Sequence, residues 1–174
     1  MDFEKPHRRF NPLTGDWVLI SPHRIQRPWQ GKVETLPSEE QPRYDPACYL
    51  CPGNERAGGK SNPKYESVFV FENDFPALIH NPPDELKGAP AWMQSYSESG
   101  VCRVICYSPR HDATLEKLND ESVLQVIDEW VKQYEELSSM SDIGFVQIFE
   151  NKGEMMGCSC CVAFESSTPK SPPS

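Results

Sequence analysis

The stretch FVQIFENKGEMMGCSCC, residues 145–161, constrains this chain more than any other. Phe145, Val146, Ile148 and Phe149 are bulky and apolar around a single Gln147, the pattern of a mostly buried strand. The character then changes. Asn151, Gly153 and Gly157 permit tight backbone, and Gly157-Cys158-Ser159 offers small residues with free N–H groups. A strand running into such a turn lets backbone approach a phosphate or sugar closely. After Ser159 the chain reads CCVAFESSTPKSPPS, and no further element is expected. Its serine- and proline-rich end predicts disorder.

The 174 residues suffice for one domain with a core, and 37% hydrophobic content makes the chain globular. A net charge of −9 argues against a general nucleic-acid or anionic-membrane binder. No apolar run approaches a membrane span. The opening MDFEKPHRRF has no apolar core after its charges, so it does not read as a secretory signal. Seven cysteines without a signal suggest a reducing, cytoplasmic setting, where CxxC means metal or redox chemistry before it means a structural disulfide.

Residues 5–15 read as a polar lead-in ending in a turn at Leu13-Thr14-Gly15, followed by a short strand at 17–21. Just past that strand lie Arg24 and Arg27, between Pro22 and Pro28. A rigid pair of arginines can grip a phosphate through parallel hydrogen bonds, or simply form a solvated loop. A proline-dotted loop then delivers Cys48-Tyr49-Leu50-Cys51-Pro52-Gly53. Two thiolates at this spacing fit one tetrahedral zinc ion. Proline and glycine follow, rather than the helix a thioredoxin-like site needs, which favours zinc over redox. Two unlinked thiols are the plainer alternative.

A CxxC is half a site. Of the four histidines, His7 and His80 read as surface residues. His111 follows the strand VCRVICY at 101–107 and the turn Ser108-Pro109-Arg110, a suitable place for a ligand or for a solvent-facing loop side chain. Val68, Phe69, Val70 and Phe71 predict a buried strand capped by Asn73-Asp74. Those two could read a base edge and a ribose hydroxyl, or serve as ordinary turn residues. Residues 81–99 read as a long loop. Residues 119–140 predict a helix capped by Asn119 or Asp120, its stripe Val123, Leu124, Ile127, Trp130, Val131, Tyr134 and Leu137 packing on the sheet. There is no repeat and no Rossmann or Walker pattern.

Taken together, NPLTGDWVLISPHRIQRPWQG at 11–31, YDPACYLCPGNERAGG at 44–59, FENDF at 71–75, RVICYSPRHDATL at 103–115 and FENKGEMMGCS at 149–159 closely resemble the galactose-1-phosphate uridylyltransferase family of the histidine-triad superfamily. The resemblance covers residues 7–159 in order. It implies an α+β fold, an antiparallel half-barrel with packed helices, acting as a homodimer. It implies transfer of uridylyl from UDP-glucose to galactose 1-phosphate, with a histidine carrying UMP covalently. Arg24 and Arg27 match nucleotide-site positions lent across the dimer. Ala57, Asn73 and Asp74 match the uridine surroundings, and Asn151, Gly157, Cys158 and Ser159 the turn that holds phosphates and sugar. Cys48, Cys51 and His111 match three ligands of a structural zinc.

The chain then departs from the family. There, Gly-Cys-Ser continues into Asn-Pro-His-Pro-His-x-Gln, whose histidines are the fourth zinc ligand and the nucleophile. Counted from Ser159, those positions hold Val162 and Phe164. Valine has no lone pair, and phenylalanine cannot attack phosphorus, so no catalytic residue is assigned. Cys160 or Cys161, or a water molecule, could complete the metal site. The family's second half is absent as well. The expectation is a truncated uridylyltransferase domain over residues 1–159 and an unrelated tail over 160–174.

Overall fold

In the computed structural model the described residues are 4–27, 41–82 and 94–150, together with the backbone of 161–167. They form two antiparallel sheets and one long helix. The first sheet has the order β2-β1-β4, with β1 at His7–Asn11, β2 at Asp16–Ile20 and β4 at Ser95–Ser97. The second has the order β3-β5-β7-β6, with β3 at Phe69–Glu72, β5 at Gly100–Cys106, β6 at Phe145–Glu150 and β7 at Cys161–Ser167. The helix α1 spans Asp120–Ser138.

Several elements follow from local chemistry. Asn119 caps α1, its side-chain oxygen accepting the Ser122 N–H at 2.8 Å. Gly15, at φ +76°, closes the turn between β1 and β2 in the left-handed conformation that glycine adopts without cost. β1 is a strand rather than a polar lead-in. Its charges are accommodated because Arg8 lies over the Trp17 ring of β2 and pairs with Glu98. His7 is fully buried, not on the surface. Its Nδ1 bonds the Lys5 carbonyl at 2.7 Å, and its Nε2 accepts the Arg9 Nε–H at 2.9 Å. His80 is exposed, as expected. Ser95–Ser97 pairs with β1, so that part of the expected long loop is a strand.

The core forms where β5 is covered on both faces. Ile105 and Cys106 are fully buried, and they cluster with Leu50, Val104, Tyr107, Val126 and Leu137. β3 is only half-buried, less than its apolar run predicts. Successive residues of β5 face opposite sides. Arg103 bonds Glu136 of α1 at 2.7 Å, which marks the helix side. Cys106 interacts with Tyr65 and lies near Cys48 and Cys51, which marks the opposite side.

Two expectations are corrected here. Cys161–Ser167 is a strand between β5 and β6, not part of a disordered tail; it pairs with β5 along its whole length and with β6 from Val162 to Ser167. Residues 168–174 lie outside the described residues. The apolar stripe of α1 is only partly core. Val126, Gln133 and Leu137 are buried, whereas Leu124, Ile127, Val131 and Tyr134 are 59%, 42%, 52% and 49% exposed. The apolar arc is wider than the sheet that covers it.

Candidate functional site

The cysteine loop is built to hold a fixed shape. Gly53 adopts φ +80°, and its N–H bonds the Pro63 carbonyl at 3.2 Å. The Asn54 side chain donates to the carbonyls of Asp45 and Cys48 at 2.9 and 2.7 Å. Asn62, buried, donates to the carbonyls of Tyr49 and Cys51 at 2.9 and 3.1 Å. The Tyr65 hydroxyl donates to the Leu50 carbonyl at 2.7 Å. These bonds satisfy the polar backbone of a loop pressed against the core.

His111 reaches this loop from the end of β5. Its backbone N–H bonds the Arg43 carbonyl at 2.8 Å, and its Nδ1 lies 3.7 Å from the Cys51 sulfur. The ligand atoms of Cys48, Cys51 and His111 all lie within 4.8 Å of one another. Two sulfurs and an imidazole nitrogen converging this way could hold a metal ion. Burial, together with the charge of Cys48, pushes the Cys51 thiol up to about 11. A cation at the group would offset that penalty by stabilising the thiolate. The donor set therefore fits a thiophilic metal.

A second group of expected site residues lies nearby. Arg56 sits over the Phe71 ring, 3.8 Å from its centroid, and 3.7 Å from the Asp74 carboxylate. Ala57 follows it in the turn Ala57–Gly59. The Asn73 side chain accepts the Phe75 N–H at 3.0 Å, and its own N–H bonds the Cys102 carbonyl at 2.9 Å. Arg56, Ala57, Asn73 and Asp74 are all half-buried. Arg56 had no role in the sequence reading; the signal was its position beside Ala57, which an isolated arginine does not make visible.

Arg24 and Arg27 sit on and just after the short helical turn Pro22–Gln26, with Arg24 exposed. Ser21 donates to the Ala77 carbonyl at 2.6 Å, and His23 Nε2 bonds the Pro76 carbonyl at 2.6 Å. These bonds tie the arginine turn to the segment that follows Asn73 and Asp74. Asn151, Gly157, Cys158 and Ser159 lie outside the described residues, as does Cys160. In β7, Val162 pairs with Ile105 and Phe164 with Arg103, both residues of the helix side. Cys161 pairs with Cys106, on the side of the cysteine loop. Among the described residues no helix is long and apolar enough to cross a membrane.

The family model of the galactose-1-phosphate uridyl transferase N-terminal domain matches residues 1–168. A galactose-1-phosphate uridylyltransferase of Haemophilus influenzae is 49% identical over 156 residues, covering 90% of this chain and 44% of the relative. A probable galactose-1-phosphate uridylyltransferase of Drosophila melanogaster is 48% identical over 156 residues, with the same coverage of 90% and 44%. The chain thus spans less than half the length of these curated relatives. A solved uridylyltransferase structure shares the fold, with TM-score 0.66 and 22% identity over 95% of this chain and 47% of that one. An ADP-glucose phosphorylase from Arabidopsis thaliana shares it more loosely, with TM-score 0.52 and 22% identity over 97% of this chain and 50% of that one. With the family model matched along nearly its whole length, this chain belongs to the galactose-1-phosphate uridylyltransferase family.

Proposed function

We propose that this chain is a zinc-containing, sugar-nucleotide-binding member of the family that does not turn over its substrates. Its ligands are UDP-glucose and galactose 1-phosphate, its setting is cytoplasmic, and it associates as a homodimer without nucleic acid or membrane. The observation that carries the binding half is the convergence of Cys48, Cys51 and His111 in a chain 49% identical to a named galactose-1-phosphate uridylyltransferase. Phe164, at the position counted for the nucleophile, carries the other half. Phenylalanine has no lone pair with which to attack the α-phosphorus and cannot hold UMP.

The residues divide the work as follows. Zinc bound by Cys48, Cys51 and His111 would supply structure, clamping the cysteine loop to the end of β5. Cys160, Cys161 or a water molecule would complete the set, the backbone of Cys161 pairing with that of Cys106; Val162 offers no donor. Ala57, Asn73 and Asp74 take the uridine, with Arg56 holding the Asp74 carboxylate in place. Arg24 and Arg27 pair with the diphosphate, either in this chain or across a dimer. Asn151, Gly157, Cys158 and Ser159 cradle the phosphates and hexose through backbone N–H groups. An exposed Arg24 also suits donation to a full-length subunit, in which case this chain would lower that enzyme's activity by forming mixed dimers.

Calorimetric titration with UDP-glucose tests the proposal. The zinc-loaded chain binds, and Arg24→Ala with Arg27→Ala weakens binding at least about tenfold, the loss of a charge-assisted hydrogen bond. A chain that is folded and zinc-loaded yet silent in the titration contradicts it.

A further inference from the structure

The turn that carries Arg24 is held by polar side chains rather than by packing. Pro22–Gln26 has no buried residue, and Ile25, its largest apolar side chain, is 90% exposed. Its backbone bonds are local, from the Arg24 N–H to the Ser21 carbonyl at 3.2 Å and from the Arg27 N–H to the Arg24 carbonyl at 3.0 Å. Bonds inside a short turn give it shape but do not hold it against the rest of the protein. Among the described residues, the hydrogen bonds that tie it to a distant segment come from Ser21 and His23. They donate to the consecutive carbonyls of Ala77 and Pro76, each at 2.6 Å. The receiving segment is fixed. Ala77 and Leu78 are buried and pack with Cys102 of β5, and the Asn73 N–H bonds the Cys102 carbonyl at 2.9 Å. Asn73 and Asp74 lie on that same segment, just before Pro76.

We infer that His23 is a positioning residue: its bond to Pro76 sets where Arg24 and Arg27 stand relative to Asn73 and Asp74. A carbonyl can only accept, so Nε2 carries the proton and donates. Nδ1 is buried and has no partner among the described residues. That nitrogen costs stability, which a leucine in its place would not. An imidazole therefore serves this spot through its Nε2 bond and not through packing. Ser21 alone would leave the turn free to pivot about one contact. Two bonds to successive carbonyls fix its direction as well as its place. Direction matters because a guanidinium displaced by about 1 Å loses its paired hydrogen bonds to a phosphate. The nucleotide part of the inference rests on the proposed binding of a UDP-sugar; the placement of the turn does not.

Limited proteolysis and calorimetry on the full chain test it. Trypsin cuts after Arg24 but not at the Arg27–Pro28 bond, so release of a fragment beginning at Ile25 reports how firmly the turn is held. His23→Leu speeds that cut roughly fivefold, as loss of one hydrogen bond implies. His23→Gln, whose amide can donate to the Pro76 carbonyl, keeps the wild-type rate. In calorimetry His23→Leu weakens UDP-glucose binding roughly fivefold and His23→Gln does not. Adding His23→Leu to the Arg24→Ala, Arg27→Ala double variant weakens it no further, because His23 acts through those arginines. Should the leucine variant fail to fold, His23→Asn, whose shorter amide does not reach Pro76, is read in its place. Equal cleavage rates in wild type and His23→Leu overturn the inference. So does a loss of affinity of the same size with and without the two arginines, which is the mark of general destabilisation. A folded wild-type chain that is silent in the titration contradicts UDP-sugar binding, and the cleavage rates then decide the placement alone.

Discussion

The sulfur of Cys51 and Nδ1 of His111 lie 3.7 Å apart, although 60 residues separate them in the chain. One residue sits in a proline-flanked loop, the other at the end of a core strand. Only a folded sheet brings them together, so a metal bound there is linked to folding.

Zinc content gives the first prediction. Purified chain carries about one zinc ion, as a single tetrahedral site requires. Cys48→Ser and Cys51→Ser each lose most of it in elemental analysis, and removal of zinc by a chelator lowers the melting temperature. Cys161→Ser weakens retention but does not abolish it. Equal zinc in wild type and Cys48→Ser refutes the site.

The pH dependence has a definite sign. In the metal-free protein burial holds the Cys51 thiol at about 11, above its ordinary 9.0, so near neutrality it keeps its proton until metal displaces it. Two thiols losing protons on binding make zinc affinity fall roughly a hundredfold for each unit drop in pH. Without metal the effect on stability runs the other way. The folded state holds the Cys51 proton more tightly than the unfolded chain, so this contribution is full below pH 9 and is lost as pH rises through about 11. Competition titrations with a zinc indicator across pH 6–8 check the first effect; an affinity that does not change with pH contradicts it.

Helix packing separates two kinds of apolar residue. Leu137 is fully buried, so Leu137→Ala costs about 2–5 kcal/mol in denaturant unfolding. Ile127 is 42% exposed, so Ile127→Ala in the isolated chain costs less than about 1 kcal/mol. Equal losses would mean that the helix is rotated relative to the sheet.

Arg56 and Asp74 form a pair whose side chains are 9% and 12% exposed. Asp74→Ala leaves a buried guanidinium over Phe71 without its carboxylate and costs roughly 3 kcal/mol. The double variant Arg56→Met with Asp74→Ala recovers a large part of that loss. Thermal melts check both; additive losses contradict a direct coupling.

Much of the site was legible because its chemistry is local. The CxxC spacing and a histidine beyond a strand end are visible one segment at a time, and α1 and β6 lie where their apolar patterns put them. What was not legible depends on pairing. HRRFN reads as a solvated lead-in until Trp17 and Glu98 supply partners for Arg8. CVAFESS, with its Glu165 and serines, reads as a tail until β5 and β6 offer hydrogen bonds on both sides. His7 reads as a surface residue because nothing in its neighbourhood announces the bond it gives to the Lys5 carbonyl or the one it accepts from Arg9. On α1, periodicity gave the helix but not which part of a broad apolar arc the sheet would cover.

The most direct test is incubation of the zinc-loaded chain with labelled UDP-glucose, followed by intact-protein mass spectrometry. The expected result is bound nucleotide and an unmodified chain, because the position counted from Ser159 for the nucleophile holds Phe164. A mass increase corresponding to one uridylyl group, on any side chain, would contradict the account.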